Sequence, residues 1–299
     1  MEAVQSPSFV VVFDIVDSCN LHCPSCYHGI HKGTKDVMDL SVAQTTLEHV
    51  REYFNVSALA AFNWGEPLLC KNIREYVHLF SSFEGLYVCF SSNMNIKIPA
   101  SLVEEILPYI HNFKFSVSGF SQSVYEKYHR GGKIKKVIEN IELFVDAKRK
   151  TNAQTQFEVV FGKHLYNAHE EEHMRRFCDM HDIQFSPLRY YVTDVQDLYE
   201  VYKGNSIPKE RYNLFYNSFS DLNNDVKTGL TPHVCRLLSN DIVVDSKGYL
   251  MTCCATKIST GISILDIKDI DTLNQVRLNN SFCKKCFEIG LNGYYFKKA

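Results

Sequence analysis

The sequence has almost no net charge, no long apolar segment and no internal repeat. Lys and Arg total 32 against 34 Asp and Glu, which gives a formal net charge of −2 and no long-range field to attract nucleic acid or an anionic membrane. The longest apolar run near the start, Phe9 to Phe13, is far shorter than the ~20 residues of a membrane span. The N-terminus lacks the regions of a signal peptide. We therefore expect a cytoplasmic protein with no nucleic-acid and no membrane partner.

Cysteine is the one residue type that stands out in a chain long enough for roughly two domains. There are eleven cysteines in 299 residues, whereas a disulfide-stapled secreted scaffold would be shorter and contain ~8–10% cysteine. An odd number in a cytoplasmic chain favours metal ligands plus a few buried thiols. Two groups near the ends of the chain predict two metal centres: Cys19, Cys23 and Cys26, and then Cys235, Cys253, Cys254, Cys283 and Cys286.

Apolar, β-branched segments alternate with helical stretches through the first two thirds of the chain. The predicted strands are 9–16, 57–63, 86–91, 113–118, 155–161 and 183–190. Such alternation favours parallel βα units, and six units fit an open partial barrel rather than a closed eightfold one. We predict an α/β fold with three parts: a partial (β/α)6 TIM-type barrel over 1–192, a helical bridge over 193–234, and a small cysteine-bearing domain over 235–299.

The first cysteine group has the spacing C-x3-C-x2-C and follows the first predicted strand, at the end of the barrel where such folds place their chemistry. Structural zinc needs four ligands, whereas three thiolates on a [4Fe–4S] cube leave one iron open to a substrate or cofactor. A zinc site and a C-x-x-C redox pair are the alternatives. The redox pair has no use for Cys19, and zinc bound through His22 or His28 would need an unusual local geometry.

The segment Cys19-Asn20-Leu21-His22-Cys23-Pro24-Ser25-Cys26-Tyr27 resembles the signature loop of the radical SAM superfamily. In that family the open iron binds S-adenosylmethionine (SAM), whose reductive cleavage yields a 5′-deoxyadenosyl radical that abstracts a substrate hydrogen. The resemblance implies a [4Fe–4S] cluster on Cys19, Cys23 and Cys26. It also implies SAM as cofactor and an electron donor such as flavodoxin or ferredoxin.

Further motifs resemble the segments of that family that contact SAM. The turn after the second strand resembles its Gly-Gly-Glu-Pro motif, which receives the methionyl ammonium, and the segment after the third strand resembles its ribose contact. An arginine after the fourth strand would pair with the SAM carboxylate. Ordinary turns and a surface arginine are the alternatives. The residues implied to contact SAM are Gly65, Glu66, Pro67, Ser91, Ser92, Asn93, Ser116, Ser118 and Arg130.

Three positions depart from the family pattern. Ser25 stands where an aromatic residue is frequent, Trp64 replaces the first glycine of Gly-Gly-Glu-Pro, and Ser118 replaces the usual aspartate of the fourth-strand motif. These departures concern the adenine contact and the lining of the pocket, and they leave the predicted iron ligands intact.

The second cysteine group reads C-x12-G-x4-C…C-x2-C, with Cys235, Cys253, Cys283 and Cys286 as its four thiols. Gly248 permits the tight turn of a hairpin. Four thiolates would occupy every iron of a second [4Fe–4S] cluster, and the alternative is a four-cysteine zinc ribbon. The arrangement resembles the one-cluster, twitch-type auxiliary domain of the SPASM/twitch subgroup, because no cysteine follows Cys286. Cys254 is not needed as a fourth ligand. It is an inert thiol, an alternative ligand to Cys253 or an active-site thiol.

The layout resembles that of 2-deoxy-scyllo-inosamine dehydrogenase, which implies two-electron oxidation of a small polar sugar or cyclitol. Glu158, Arg189 and Tyr190 are candidates for binding that substrate. The alternative is that these residues are ordinary exposed loop positions.

A second hypothesis is a peptide-modifying maturase that forms thioethers, epimerises or cross-links, with Cys254 as hydrogen donor. Only eight residues precede the first strand, which argues against a leader-binding domain. A non-catalytic iron–sulfur or zinc protein is the third hypothesis.

Overall fold

The computed structural model describes residues 8–192, 194–229 and 235–292. The N-terminal stretch, for which the sequence predicts no signal peptide, and the last seven residues of the predicted C-terminal domain lie outside these ranges. No helix in the described ranges has the length and apolar character needed to cross a membrane.

Nine strands are present in the described residues, and the first six come from the predicted barrel. They are β1 (Phe9–Phe13), β2 (Val56–Ala60), β3 (Tyr87–Ser92), β4 (Asn112–Val117), β5 (Gln156–Lys163), β6 (Gln184–Arg189), β7 (Asp241–Val244), β8 (Tyr249–Met251) and β9 (Ser259–Ser263).

Helices connect these strands, and those of the barrel units pack on one face of the sheet. They are α1 (Tyr27–Ile30), α2 (Leu40–Tyr53), α3 (Ile73–Ser81), α4 (Ala100–Ile106), α5 (Gln122–Tyr128), α6 (Ile134–Thr151), α7 (Glu171–Met180), α8 (Val195–Tyr202), α9 (Lys209–Tyr212), α10 (Phe219–Gly229), α11 (Arg236–Asn240), α12 (Ile270–Asn279) and α13 (Ser281–Glu288). Short 3₁₀ turns cover Pro67–Leu69, Leu107–Tyr109, Ala168–Glu170 and Ile264–Asp266.

The strands form one sheet in the order β6-β5-β4-β3-β2-β1-β7-β8-β9. Strands β1 to β6 pair in parallel with their neighbours along the chain, and this confirms the prediction of an α/β partial barrel of six units. On its other side β1 pairs in parallel with β7, and β8 and β9 follow antiparallel. The C-terminal region therefore continues the sheet of the barrel, while the division into three domains stays a prediction.

The two faces of the sheet have different surroundings. Phe9, Val11 and Phe13 of β1 are buried in the main core together with residues of the covering helices. Because side chains alternate along a strand, Val10 and Val12 face the opposite side, which is the lumen of the partial barrel. The carboxyl ends of all six parallel strands meet at one edge, where the loops that bear the predicted site residues begin.

Strand β1 is shorter than predicted, and the predicted helical bridge is divided into separate helices. Strand β1 ends at Phe13 because the next residue, Asp14, turns its carboxylate to the backbone N–H groups of Trp64 and Gly65. The stretch predicted as a helical bridge contains the three helices α8, α9 and α10 in its described part.

Candidate active site

A cavity of about 180 Å³ lies at the carboxyl edge of the sheet. The thiols of the first cysteine group lie on one wall, and the loops after β2, β3 and β4 supply the others. The predicted residues that line it are Cys19, Cys23, Cys26, Gly65, Glu66, Ser91, Ser92, Asn93, Ser116 and Tyr190. The fold thus brings together side chains from five separate stretches of the sequence.

The three thiols of the first group are close to one another and withdrawn from water. Burial raises the pKa of Cys19 to about 12 and the pKa of Cys23 well above its ordinary value, and mutual repulsion of the thiolates adds to both rises. Among the described residues, no set of three His, Cys, Asp or Glu side chains converges on a single metal ion. Each thiolate of a [4Fe–4S] cube binds a different iron. Three thiols on one cavity wall are the donor set that a cube with one open iron requires.

Glu66 joins the turn after β2 to the segment after β3. One of its carboxylate oxygens accepts a hydrogen bond from the Leu68 backbone nitrogen at 3.1 Å, and the other accepts from the Asn93 backbone nitrogen at 2.8 Å. Burial raises the pKa of Glu66 to about 7, and the hydrogen bonds only partly oppose that rise. A cation bound beside this carboxylate would favour its ionised form.

Asn93 connects the same segment to the first cysteine loop. Its side-chain nitrogen donates to Asn20 Oδ1 at 3.0 Å and lies 3.6 Å from Cys19 Sγ, while its side-chain oxygen accepts from the Asn95 backbone nitrogen at 2.8 Å. The Asn20 amide in turn donates to the Asn95 carbonyl at 2.8 Å. These amides fix the position of the cysteine loop relative to the turn at Glu66.

The turn at Gly65 lies against the end of β1. A Cβ at position 65 would lie 1.7 Å from the Val16 carbonyl oxygen, so only glycine fits. The Gly65 and Trp64 nitrogens donate to Asp14 Oδ1 at 2.9 and 3.2 Å. Trp64 occupies the position of the missing first glycine and lines the cavity.

The two serines of the fourth-strand stretch have different surroundings. Ser116 lies on the cavity wall, where its hydroxyl is 3.2 Å from the Tyr190 hydroxyl. Ser118 is fully buried, and its hydroxyl is 2.7 Å from His129 Nδ1. Burial lowers the pKa of His129 to about 3, so the imidazole is neutral at physiological pH. His129, and not Ser118, lines the cavity.

Arg130 meets the first cysteine loop through its backbone. Its carbonyl accepts from the His22 nitrogen at 3.1 Å. Its charge opposes the rise that burial imposes on the pKa of Cys23.

Sequence comparison decides the family. Residues 14–203 match the sequence profile of the Radical SAM superfamily, and this segment contains the whole of the first cysteine group and the turn at Gly65. The chain belongs to the radical SAM superfamily. Membership implies a [4Fe–4S] cluster and SAM. A comparison with curated proteins gives no significant match.

Three solved structures share this radical SAM fold over almost the whole chain. SuiB of Streptococcus suis, bound to its precursor peptide SuiA, superimposes with a TM-score of 0.64 at 16% identity over 95% of this chain and 71% of SuiB. The enzyme anSMEcpe, with AdoMet and the Cp18Cys peptide, gives 0.58 at 16% identity over 96% and 84%. BtrN, with AdoMet and 2-DOIA, gives 0.55 at 16% identity over 97% and 90%. The predicted SPASM/twitch relationship is therefore confirmed at the level of the fold.

A second and larger cavity of about 550 Å³ adjoins the first. Tyr190 lines both cavities, and Arg189 and Lys163 add positive charge to the larger one. The remaining predicted substrate residue, Glu158, is the registered partner of Lys114 on the neighbouring strand, and their charged groups lie 3.4 Å apart. This pair lies in the lumen, one layer below Ser116.

The second cysteine group forms its own small cavity, about 30 Å³, away from the first. Its wall includes Cys235, Cys253, Cys283 and Cys286. Cys283 and Cys286 are three residues apart on α13 and so share one face of that helix. Gly248 has a φ of +85° in the turn between β7 and β8, which confirms the predicted hairpin turn.

Cys254 is set apart from these four thiols. Its Sγ lies 3.4 Å from the Asp241 carboxylate, and it packs beside Val12, Val243 and Met251. Burial, followed by the negative charge of Asp241, raises the pKa of Cys254 well above its ordinary value. The structure therefore places Cys253 with the other three thiols and Cys254 on the lumen side of β1.

Sequence reasoning missed several residues of the site. Asp14 and Asp17 interrupt an apolar run after β1, and this interruption was the available signal. His129 and Lys257 carry no comparable local signal, because His129 is brought to the cavity by the turn after α5 and Lys257 arrives from the C-terminal region.

We predict that Gly65→Ala disrupts the first site, because the added methyl group meets the Val16 backbone. The free energy of unfolding should fall by about 1–3 kcal/mol, and reconstituted protein should retain less iron at the first cysteine group. Denaturant titration and iron analysis measure these effects. Gly204→Ala is the control, because open space surrounds Gly204 and the added methyl group brings only the backbone strain of a positive φ, +83°. Equal iron retention in the two variants would show that the close approach at Gly65 is dispensable.

Proposed function

We propose that this radical SAM enzyme catalyses the two-electron oxidation of a small polar substrate, of the sugar or cyclitol class. The observation that carries the proposal is the second cysteine group. Its four thiols surround one cavity, so a [4Fe–4S] cluster held there has no open iron for substrate and is suited to accept an electron. An enzyme that oxidises carbon by hydrogen abstraction needs such an acceptor.

The proposed ligands of the radical SAM cluster are Cys19, Cys23 and Cys26, and together with SAM this cluster supplies a 5′-deoxyadenosyl radical. Glu66 is proposed to receive the methionyl ammonium, since its buried carboxylate lines the same cavity and has a raised pKa. Ser91 and Ser92 end β3 on that wall, Asn93 follows them, and the three offer hydroxyl and amide groups to the ribose. A flavodoxin or ferredoxin is the proposed electron donor.

The larger cavity is the proposed route for substrate. Its volume of about 550 Å³ is in the range of small-molecule sites. Arg189 and Tyr190 would bind polar groups of the substrate at the junction of the two cavities, and the Lys114–Glu158 pair offers a donor and an acceptor deeper in the lumen. BtrN, which shares the fold, was solved with AdoMet and the small molecule 2-DOIA.

A buried arginine supports an anionic centre at the second cysteine group. Arg277 is fully buried and donates to the carbonyls of Asp241 and Leu238 at 2.6 and 2.8 Å. Burial lowers its pKa to about 10, while the nearby thiols Cys253, Cys235 and Cys283 oppose that change. A positive charge at this position would offset the charge of four thiolates.

Peptide modification is the second candidate, and the position of Cys254 favours it. The thiol lies beside lumen-facing Val12 and is kept protonated by its raised pKa, as a hydrogen donor for epimerisation must be. SuiB and anSMEcpe, which share the fold, were both solved with peptides. We favour oxidation because the Cys254 thiol contacts Asp241 rather than the cavity that holds the first cysteine group.

The metal content tests both centres. We predict about eight iron and eight sulfide per chain after anaerobic reconstitution, and about four of each after Cys19, Cys23 and Cys26 are all replaced by Ala. Replacing Cys283 and Cys286 by Ala should leave slow SAM cleavage to 5′-deoxyadenosine measurable. One zinc per chain without sulfide would contradict the second cluster.

The pH dependence of SAM binding tests Glu66. Ionised Glu66 attracts the ammonium, so SAM affinity should be complete above the pKa of about 7 and be lost as the pH falls through it. Between about pH 7.5 and about pH 5.5 we expect a decrease of roughly tenfold or more, measured by equilibrium dialysis.

Glu66→Gln should bind SAM weakly and with little pH dependence in the same range. Glu75→Gln, an exposed position on the neighbouring helix α3, is the matched control and should behave like wild type. A wild-type pH profile in Glu66→Gln would exclude the ammonium contact.

The fate of the substrate hydrogen separates the two candidate functions. In the oxidation, one hydrogen atom leaves carbon, one proton leaves the hydroxyl and one electron passes to the second cluster. With 2-deoxy-scyllo-inosamine as the first probe, the product should be two hydrogens lighter, with one SAM consumed per turnover. Cys254→Ala and the control Cys178→Ala, a buried thiol on α7, should both retain product formation in mass spectrometry.

Epimerisation would give the opposite pattern with a peptide substrate. The product formed in D2O would carry deuterium at the inverted carbon, and Cys254→Ala would abolish that product while sparing SAM cleavage. This result would replace oxidation by the second candidate.

A further inference from the structure

A buried lysine from the C-terminal region reaches the loop of the first cysteine group. Lys257 lies between β8 and β9, four residues after Cys253. Its ammonium contacts the Asp17 carboxylate and lies 3.6 Å from Asp14 Oδ2. The side chains of Lys257, Asp17 and Asp14 are only 12%, 12% and 5% exposed. Three charged groups are thus buried together where the two cysteine-bearing regions meet.

Both aspartates hold backbone of the radical SAM site. Asp14 accepts from the nitrogens of Trp64 and Gly65 through Oδ1, while Oδ2 faces the lysine. Asp17 accepts from the backbone nitrogen and the hydroxyl of Thr34 at 3.1 and 2.8 Å, in the segment after the third cysteine. The lysine therefore lies behind the turn at Gly65 and behind the loop of the first cysteine group.

The charge balance at this junction depends on Lys257. Burial raises the pKa of Asp14, and the Lys257 charge is the largest influence that opposes this rise. The same ammonium lies 4.9 Å from the centre of the Tyr27 ring, next to Cys26 in the sequence, at a distance that permits a cation–π contact. Without the lysine, Asp14 would lose the cation that faces it, and Asp17 would keep only His28, whose Nε2 lies 3.3 Å from its carboxylate. Removing one partner from a buried group of charges is strongly destabilising.

The loop that carries both Cys253 and Lys257 is held in place by hydrogen bonds of the residues next to them. Thr252 donates to the Ile258 carbonyl through its backbone nitrogen and its hydroxyl, both at 2.9 Å, and so closes the loop. With its amide oriented to satisfy both neighbours, Asn63 donates to the Cys254 carbonyl at 3.3 Å. The loop of the second cysteine group is therefore docked on the cavity wall of the first.

We propose that Lys257 is a positioning residue for SAM binding. From the loop of the second cysteine group, it holds Asp14 and Asp17 so that the Gly65 turn and the first cysteine loop keep the arrangement that receives SAM. This inference rests on membership of the radical SAM superfamily, and it is independent of the substrate and reaction proposed above.

The test uses the reconstituted full chain and two readouts other than turnover. These are the SAM dissociation constant from equilibrium dialysis and the change that SAM causes in the EPR spectrum of the reduced first cluster. In Lys257→Met, we expect the dissociation constant to rise about fivefold or more and the SAM-induced EPR change to diminish, with the iron content retained. Lys257→Arg keeps the positive charge and should restore most of both.

Lys247→Met is the matched control. Lys247 also joins the C-terminal region to the segment after the first cysteine group, through Asp36 at 3.2 Å, but this pair is 61% and 38% exposed. An exposed ion pair contributes little, so this variant should bind SAM as wild type does. Wild-type affinity and an unchanged EPR response in Lys257→Met would overturn the proposal.

Loss of metal in Lys257→Met is also informative. Loss of the first cluster alone supports the proposal, because positioning then fails at the metal itself. Loss of both clusters in Lys257→Met and in the milder Lys257→Gln would make Lys257 a general folding residue and would overturn it.

Discussion

The end of β1 is the constraint on which the rest of the structure depends. The buried residue Asp14 directly follows this central strand, and a carboxylate at such a position is tolerated only when its oxygens are hydrogen-bonded and its charge is balanced. Gly65 and Trp64 satisfy one oxygen, and Lys257 faces the other. The turn after β2, the first cysteine loop and the C-terminal region are therefore tied to the same strand end.

Parallel pairing explains why the cofactor residues gather at one edge. Each of β1, β2, β3, β4 and β6 ends at that edge, so residues as far apart in the sequence as Cys19 and Tyr190 share one cavity. Glu66 and Asn93 link two of these loops through a hydrogen bond, and the Asn93 amide extends the connection to Cys19. The open cavity beside the first cysteine group and the group of four thiols lie at two separate places in the molecule.

The pairing of β1 with β7 joins the C-terminal region to the sheet of the barrel. Lys257 and Asn63 reinforce this continuity at the level of side chains. Packed and charged contacts thus connect the second cysteine group to the first, and coupling between sites travels through contiguous networks of this kind. The large cavity at Tyr190 lies on the opposite side, near the free edge of the sheet.

The sequence alone determined the fold class and the two cysteine groups, because alternation of apolar strands with helices and cysteine spacing are local patterns. The turn at Gly65-Glu66 and the Ser91-Ser92-Asn93 segment were implied by the resemblance to the radical SAM superfamily, and both line the cavity. Only the tertiary structure separated Cys253 from Cys254, since adjacent residues differ in the direction of their side chains. The tertiary structure also showed that His129, and not Ser118, lies on the cavity wall. It showed as well that Lys257 contacts Asp14 and Asp17. These contacts join residues that are 11 to 243 positions apart in the sequence. Buried charges that pair across the longer separations cannot be predicted from a local sequence pattern.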